Sequence, residues 1–424
     1  MYHFIYPTKD TYIYELNDNS DKNFGGDDTL VLKKDFDGLT GLNAVSRVLL
    51  EFDLSELSQS LVSKEITGSL DGNGIPPKYF LRLYEKKTSE LSPTYSLTAF
   101  PLSQSWEEGT GHRNQNPNSR DGVSWEKRNE NFQHLSWSFT GSFDFNQESG
   151  SRNIPGGGVW MTGSGYQASQ SFSHNSVDVN MDVTDIVNNW LGGNSKIPNY
   201  GFILKWSGSQ ENSVNHSGDI NFFSSNANSI YSPKLEVRWD EHTNDYTGTF
   251  KDYGEEFEEG TGTFEYPDVP IDPITIDGTD DNYMFMIGLR ETYMETEKPR
   301  FRVAARKRYQ TKSVSTTKTT QTNKLVPHGS GSYSIVDVET GETLIPFGDY
   351  SLLSTDLKSN YFKLKLDGFI NNRLYKILLR LKLNDGRYRI FDNDYKFKIK
   401  SWIFIYEQLY LEKINGWFRL KKNR

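Results

Sequence analysis

Two neighbouring glutamates, Glu107 and Glu108, follow Trp106 in the stretch SWEEGTG. Most glycosidases use two carboxylates that lie roughly 5 to 9.5 Å apart across a sugar. Adjacent residues of an extended segment point to opposite faces, so these two glutamates cannot form such a pair with each other. A partner further along the chain, Asp121 or Glu126, is left open. The alternative, which we favour, is that the tryptophan packs in a core while the acids stabilise turns.

Other catalytic chemistries find no pattern in this sequence. The histidines are scattered without ligand spacing, and there is no cysteine, no G-x-S-x-G elbow and no P-loop. Thiolate catalysis and cysteine-based metal sites are therefore excluded, and serine nucleophiles and phosphate binding lack their usual motifs. We expect a protein that is not an enzyme and that carries no cofactor.

Carbohydrate binding is the stronger hypothesis for the first half of the chain. Sugars present flat apolar faces edged by hydroxyls, so their sites combine aromatic rings with planar polar side chains. The irregular region 101–170 contains both kinds, and we predict these candidate residues: Trp125, Trp137, Arg113, Asn114 and Asn116. For any single tryptophan, packing in the core is the better interpretation, and it applies first to Trp106 and Trp160.

Calcium is a second ligand to consider. The stretches NDNSDKNFGGDD (17–28) and DFDG (35–38) are rich in hard oxygen donors. Neither fits the D-x-D-x-D-G pattern of a calcium loop closely. Solvated turns are the favoured interpretation, and a structural calcium is left open.

The elements that would position these residues are β-strands. Segments such as TYIYEL and TLVLKK alternate apolar with polar residues, RVLLEFDL suits a central strand, and Asn, Asp and Gly clusters separate them. One helix is predicted in DVTDIVNNWLGG, where Val183, Ile186, Val187 and Trp190 share one face. Many strands with one short helix predict an all-β fold, with an N-terminal jelly-roll β-sandwich over residues 1–240.

The second half divides by composition. Residues 241–280 are acidic and rich in Gly and Pro, which predicts a linker or arm. Strand patterns resume over 281–400, with TG and DG turns between them, and predict an immunoglobulin-like β-sandwich. Residues 401–424 are aromatic and then basic, which suggests a C-terminal arm.

Charge is distributed unevenly along this half. From Asp240 to Glu297 there are seventeen acidic residues, whereas from Lys298 to Val336 there are nine basic residues and no acidic one. We predict a projecting basic, Thr-rich hairpin over 300–324 that binds an acidic partner surface; a solvated loop is the alternative. Its candidate partner-binding residues are Arg302, Arg306, Lys307, Arg308 and Lys312. The net charge of -9 disfavours nucleic acid as the partner.

Several of these stretches resemble a known family. NFGGDDTLVLKK, SRVLLEFDLSEL, DGVSWEKR and VDVNMDVTDIVNNWLGG occur in the order and spacing of the DNRLRE-domain family. That resemblance implies a jelly roll of the carbohydrate-binding type without a catalytic centre. The later stretch YSIVDVETGETLIPFGDYSLLSTD is similar to immunoglobulin-like domains in structural proteins of tailed bacteriophages.

Together the two resemblances predict a structural protein of a tailed-phage virion, in its neck, tail or fibre-attachment region. Its partners would be other virion subunits, copies of itself and a host-surface glycan. The alternative is a carbohydrate-binding module that targets a polysaccharide surface. The first residues lack a signal peptide and no apolar run is long enough for a membrane span. We therefore expect a virion assembled in the host cytoplasm, without membrane contact.

Overall fold

A computed structural model gives the structure of the chain. It describes residues 1–15, 20–37, 42–66, 75–89, 91, 94–130, 134–138, 144–145, 156–173, 177–192, 196–213, 215–244, 273–278, 281–309, 323–356 and 358–401. The chain divides into two compact units. The N-terminal unit contains Phe4–Ile66 and Pro77–Arg238, and the C-terminal unit contains Met1–His3, Thr67–Pro76 and Trp239–Arg424.

The strands up to residue 238 build the N-terminal unit, except for Tyr2 and His3 of the first strand, which are assigned to the C-terminal unit. They are β1 (Tyr2–Ile5), β2 (Pro7–Tyr14), β3 (Thr29–Asp37), β4 (Leu42–Phe52), β5 (Lys78–Leu83), β6 (Glu85–Ser89), β7 (Thr94–Pro101), β8 (Lys127–Asn129), β9 (Leu135–Ser136), β10 (Asp144–Phe145), β11 (Trp160–Met161), β12 (Ala168–Ser173), β13 (Val179–Asp182), β14 (Phe202–Trp206), β15 (Gly218–Phe223) and β16 (Lys234–Arg238). One sheet has the order β1-β16-β5-β13, and a larger one the order β12-β7-β14-β4-β3-β15-β6 with β2 paired to β4. The pairs β8-β9 and β10-β11 stand apart from both sheets.

Alternating side chains give the strand β5 one apolar face. In β5 the residues Tyr79, Leu81 and Leu83 are buried while the residues between them are partly exposed. The stretch RVLLEFDL forms most of β4, which lies between β14 and β3 as the sequence predicts for a central strand. The predicted all-β fold is therefore confirmed for this unit.

Helices are few in the described residues. They are α1 (Ser55–Val62), α2 (Thr184–Leu191), the short α3 (Gly208–Glu211) and two 3-10 turns at Ser225–Ala227 and Asp349–Ser351. The predicted helix is α2, which buries Ile186, Val187 and Trp190. The helix α1 was not predicted, because its sequence SELSQSLV is short and mostly polar. None of the helices in the described part of the chain is long and apolar enough to cross a membrane.

The C-terminal unit is a second β-sandwich. Its strands are β17 (Asn282–Ile287), β18 (Thr292–Met294), β19 (Arg300–Lys307), β20 (Gly331–Asp337), β21 (Thr343–Ile345), β22 (Ser354–Thr355), β23 (Asn360–Lys363), β24 (Leu374–Lys382) and β25 (Tyr388–Lys400). The sheets have the orders β17-β19-β23-β22 and β18-β25-β24-β20-β21. Rings from the two sheets meet between them: Phe362 stacks on Tyr333 at 3.9 Å, and Phe301 lies 5.3 Å from Phe397. The all-β prediction holds here too.

The predicted basic hairpin needs a correction. Residues 300–307 form β19, an interior strand of its sheet, and Val303, Ala304 and Ala305 are buried. A projection that starts at residue 300 is therefore wrong, because these residues belong to the core. Residues 310–322, with Lys312, lie outside the described residues.

Both ends of the predicted linker pack on the C-terminal unit. The Thr243 N–H donates to Ser354 Oγ at 3.1 Å, and the Ile274 N–H donates to the Leu325 carbonyl at 2.8 Å. Residues 245–272 and 279–280 of the linker, and residues 402–424 of the predicted C-terminal arm, lie outside the described residues. The four-part division of the chain stays a prediction.

Candidate carbohydrate-binding site

A buried asparagine connects two glycine-rich stretches of the N-terminal unit. Asn23 has no exposed surface, and its side-chain amide donates to the carbonyls of Glu108 at 2.6 Å and Val123 at 2.8 Å. Its Oδ1 accepts the N–H of Gly111 at 2.8 Å. One side chain thus satisfies backbone groups at both ends of the segment 108–123, which fixes that segment to the sheet.

The close approach of the two stretches requires glycine. A Cβ on Gly25 would lie far inside van der Waals contact of the Glu108 carbonyl. The Gly26 N–H instead donates to the Gly111 carbonyl at 2.8 Å. The sequence signal for this contact is the presence of glycines in both NFGG and EEGTG, although the sequence alone does not show that the two stretches meet.

The anchored segment presents a polar loop to solvent. Arg113, Asn114 and Asn116, three of the predicted binding residues, are exposed on it. The Arg113 N–H donates to Asp27 Oδ1 at 2.9 Å, and the buried ammonium of Lys22 donates to the Arg113 carbonyl. The Arg113 guanidinium has no ion-pair partner among the described residues, so the backbone is held while the charged group is presented to solvent.

Trp125 and Trp137 were predicted to bind sugar, and the structure contradicts this part of the prediction. Trp125 has no exposed surface and Trp137 is 8% exposed. Both belong to a core cluster with Trp106 and Trp160. A sugar needs an accessible ring face, so packing is the role the structure gives them.

A buried charge cluster packs against two of these rings, Trp125 and Trp160. The guanidinium of Arg47 lies 4.8 Å from the ring centroid of Trp125 and 5.1 Å from that of Trp160. Arg47 Nε donates to Glu211 Oε1 at 3.0 Å, and Lys205 pairs with the other carboxylate oxygen. Burial raises the pKa of Glu211, but the two cations outweigh it and hold that pKa below its usual range. Trp125 and Trp160 therefore stabilise the buried Arg47 through cation–π contacts.

An open polar groove begins where the loop leaves the sheet. Its volume is about 560 Å³, and it is lined by Thr8, Lys9, Glu107, Glu108, Gly109, Thr110, Asp121 and Asn129. The loop leaves the groove at Thr110 and returns at Asp121, whose carboxylate accepts both the Thr110 N–H at 3.0 Å and its hydroxyl at 2.6 Å. Groove and loop are thus parts of one structural element.

Glu108 is the unusual titrating group of this groove. Burial raises its pKa to about 7, and the nearby carboxylates of Asp10 and Glu51 act in the same direction. Its Oε1 accepts the Asp10 N–H at 2.8 Å, which acts against this rise. At neutral pH the side chain exists in both its neutral and its charged form, and the neutral form adds a hydrogen-bond donor to the groove.

The other candidate carboxylates are held by protein groups. Burial raises the pKa of Asp121, but hydrogen bonds from Thr110 and Ser119 outweigh it and keep that pKa low. Glu126 accepts the hydroxyl of Ser20 at 2.8 Å. Glu107 lies 4.0 Å from the ammonium of Lys9. Glu108 and Asp121 line one groove with pKa shifts of opposite direction, a feature that glycosidases share.

Described carboxylates of the predicted calcium stretches are also engaged. Asp28 pairs with Lys86 at 2.7 Å, and Lys33 pairs with Asp35 at 2.7 Å. Asp21 pairs with Arg120, and Asp27 accepts the Tyr12 hydroxyl at 3.1 Å. These oxygens already have protein partners, and a structural calcium stays a prediction.

The predicted partner-binding residues lie in the C-terminal unit. Arg302 pairs with Asp356 at 3.0 Å and donates to Ser359 at 2.8 Å, so its contacts stabilise the C-terminal unit itself. The Arg306 guanidinium lies 5.6 Å from the ring centroid of Tyr283. Lys307 and Arg308 are exposed, with Arg308 Nε 3.5 Å from Asp281. Their binding of a partner stays a prediction.

Fold and site together define an all-β module with a polar groove and an exposed loop that is fixed to the sheet. Residues 1–137 match the family model described as carbohydrate-binding module family 96. That range includes every groove residue and the whole loop. The matched part of the chain is therefore similar to a carbohydrate-binding module.

The other comparisons add little. No curated protein matches the chain. A crystal structure of trypsin-activated alpha-2-macroglobulin from Escherichia coli is similar at 10% identity and a TM-score of 0.18, over 74% of this chain and 20% of that one. The chain thus spans about a fifth of that structure, and so low a score supports no argument. The resemblances to the DNRLRE-domain family and to phage proteins stay predictions.

Proposed function

We propose that the N-terminal unit binds a polysaccharide through the groove and the adjoining loop at Arg113, Asn114 and Asn116. One observation carries the proposal: Asn23 fixes an exposed row of planar polar side chains beside an open polar groove, within the range that matches a carbohydrate-binding module. Because the loop is already ordered, binding does not require ordering of its backbone.

The chemistry of the site suits sugar hydroxyls. Amide and guanidinium groups donate hydrogen bonds in a plane to sugar oxygens. The carboxylates of Glu107 and Asp121 accept hydrogen bonds from sugar hydroxyls. Lys9 is held between the Trp106 carbonyl at 3.0 Å and Glu51 at 3.4 Å, which leaves the groove with an acidic balance. We therefore expect the groove itself to prefer neutral sugars over uronic acids, which its carboxylates repel.

The test is a binding assay on the full chain. We expect at least one neutral polysaccharide from a panel of xylan, mannan and β-glucans to bind, and affinity gel electrophoresis and titration calorimetry to detect it. Arg113→Ala and Asn116→Ala should weaken this binding, whereas Lys196→Ala, an exposed residue of another segment, should not. A panel without any binding polymer would contradict the proposal.

Binding without turnover is part of the proposal. The matched family is one of binding modules, which favours a non-catalytic role for Glu108 and Asp121 despite their opposite pKa shifts. The bound polysaccharide should therefore show no new reducing ends after prolonged incubation. If the unchanged protein releases products and the Glu108→Gln variant does not, the groove is a catalytic site.

The virion role is a separate proposal. A binding module displayed on a tailed-phage particle would attach that particle to a host-surface glycan, and the C-terminal unit would bind neighbouring subunits. The test is deletion of 310–322, which leaves the core strand β19 intact, followed by an assay of incorporation into particles. Unchanged incorporation of the deletion variant would show that residues 310–322 are not needed for assembly.

A further inference from the structure

Two aromatic rings stack at the end of β15, beyond the groove. The ring centroids of Phe223 and Tyr231 lie 5.3 Å apart. Tyr84 is a second ring in contact with Tyr231, and the centroids of that pair lie 5.4 Å apart. Tyr84 is 7% exposed, whereas Phe223 and Tyr231 are half-buried, so each residue keeps part of its surface exposed. The Tyr231 hydroxyl has no hydrogen-bond partner among the described residues. All tryptophans in the described part of this unit are buried, so they offer no comparable surface.

Fixed polar groups border this aromatic pair. The exposed Lys86 lies 5.7 Å from the ring centroid of Phe223, and its ammonium binds Asp28 at 2.7 Å and the Thr29 hydroxyl at 2.8 Å. Asn221 precedes the pair on the same face of β15. An aromatic surface with charged and amide groups at its edge fits a sugar ring, which is apolar on its faces and polar at its rim.

The aromatic pair is joined to the proposed site by a chain of hydrogen bonds. The Ser225 N–H donates to Asp10 Oδ2 at 2.7 Å, and the Asp10 N–H donates to Glu108 Oε1 in the groove at 2.8 Å. On the loop side, the Ser224 hydroxyl donates to the Asp27 carbonyl at 2.6 Å, and Asp27 Oδ1 accepts the Arg113 N–H. The segment that carries the rings is therefore fixed to both parts of the site.

From this arrangement we infer that Phe223 and Tyr231 form a second subsite, which stacks on a pyranose ring of the same polysaccharide chain that the groove binds. Lys86, Asp28 and Asn221 contact the hydroxyls of that ring. The inference rests on the proposed function and adds a requirement for length: only a chain that extends past the groove reaches the aromatic pair. Phe223 and Tyr231 lie outside the range matched by the family model.

The experiment compares short with long ligands. Calorimetry of the full chain uses disaccharides and hexasaccharides of xylan, mannan and a β-glucan, whichever polymer binds. For Tyr231→Ala and Phe223→Leu we expect a loss of hexasaccharide affinity of about tenfold and unchanged disaccharide affinity. Tyr231→Phe, which keeps the ring, should retain most of the hexasaccharide affinity. Tyr166→Ala, at another half-exposed tyrosine of the same unit, is the matched control.

The outcomes separate the two proposals. If no sugar binds the unchanged protein, the proposed function fails and this inference fails with it. If Arg113→Ala weakens binding while the Tyr231 and Phe223 variants bind hexasaccharides normally, only the aromatic subsite is overturned. An equal loss for both ligand lengths would also overturn it, since a stacking subsite outside the groove affects long ligands alone. Circular dichroism melting of each variant shows whether it folds, and Tyr231→Leu replaces Tyr231→Ala if the alanine variant does not fold.

Discussion

The guanidinium of Arg47 lies 4.8 Å from the ring centroid of Trp125, deep in the core of the N-terminal unit. Trp160 lies near the same cation, and Glu211 and Lys205 complete the cluster. The side chains of these three charged residues are at most 3% exposed. Trp125, which the sequence suggested for sugar binding, therefore packs against an arginine of its own chain.

Removal of the arginine should destabilise the unit strongly. Arg47→Met leaves Glu211 buried with one cation instead of two, and loss of one partner from such a pair costs about 3 to 5 kcal/mol. Urea unfolding measures this cost. Arg120→Met is the matched control, because Arg120 pairs with Asp21 at the surface with its side chain 60% exposed, and such pairs contribute below about 1 kcal/mol. Equal losses for the two variants would contradict the buried-cluster account.

Asn23 should matter for both stability and binding. Asn23→Ala removes the partners of the Gly111 N–H and of the carbonyls of Glu108 and Val123. Because an unsatisfied buried group costs about 1 to 3 kcal/mol, we expect a loss of about 3 kcal/mol or more. Glycan affinity should fall as well, since the loop is no longer fixed. Asn114→Ala, on the same loop but exposed, should leave the melting temperature unchanged; a drop as large as that of Asn23→Ala would refute the anchoring role.

The raised pKa of Glu108 predicts a pH-dependent stability with a definite sign. Its pKa is about 7 in the folded protein against an ordinary 4.5, so the folded state binds the proton more tightly than the unfolded state does. Stability from this group is present at low pH and is lost as pH rises from about 4.5 to 7. Compared with the unchanged protein, Glu108→Gln should gain stability across this range. Melting temperatures of both proteins at a series of pH values measure the difference, and parallel curves would show that Glu108 does not titrate there.

The sequence predicted the strands and the helix α2 because their patterns are local. Alternation in β5 and the spacing of Ile186, Val187 and Trp190 depend only on neighbours in the chain. Arg113, Asn114 and Asn116 lie together because they are consecutive or nearly so, and their role in binding stays a prediction. Asn23 was missed, since its partners are Glu108, Gly111 and Val123, which a single sequence does not pair with it. The contact of Trp125 with Arg47 was not predicted for the same reason, because Arg47 reaches the ring only through the folded sheet.

A comparison of Trp125 with Arg113 separates packing from recognition. Trp125→Phe shrinks a buried ring in contact with Arg47, so it should destabilise the protein by about 1 to 3 kcal/mol while the folded protein keeps its glycan affinity. Arg113→Ala removes an exposed guanidinium, so it should leave the melting temperature unchanged and weaken glycan binding. Calorimetric titration and thermal melting on the same samples give both quantities. If Trp125→Phe weakens binding at a temperature where the protein is fully folded, the ring contributes to the ligand site after all, because a purely internal ring acts on affinity only through folding.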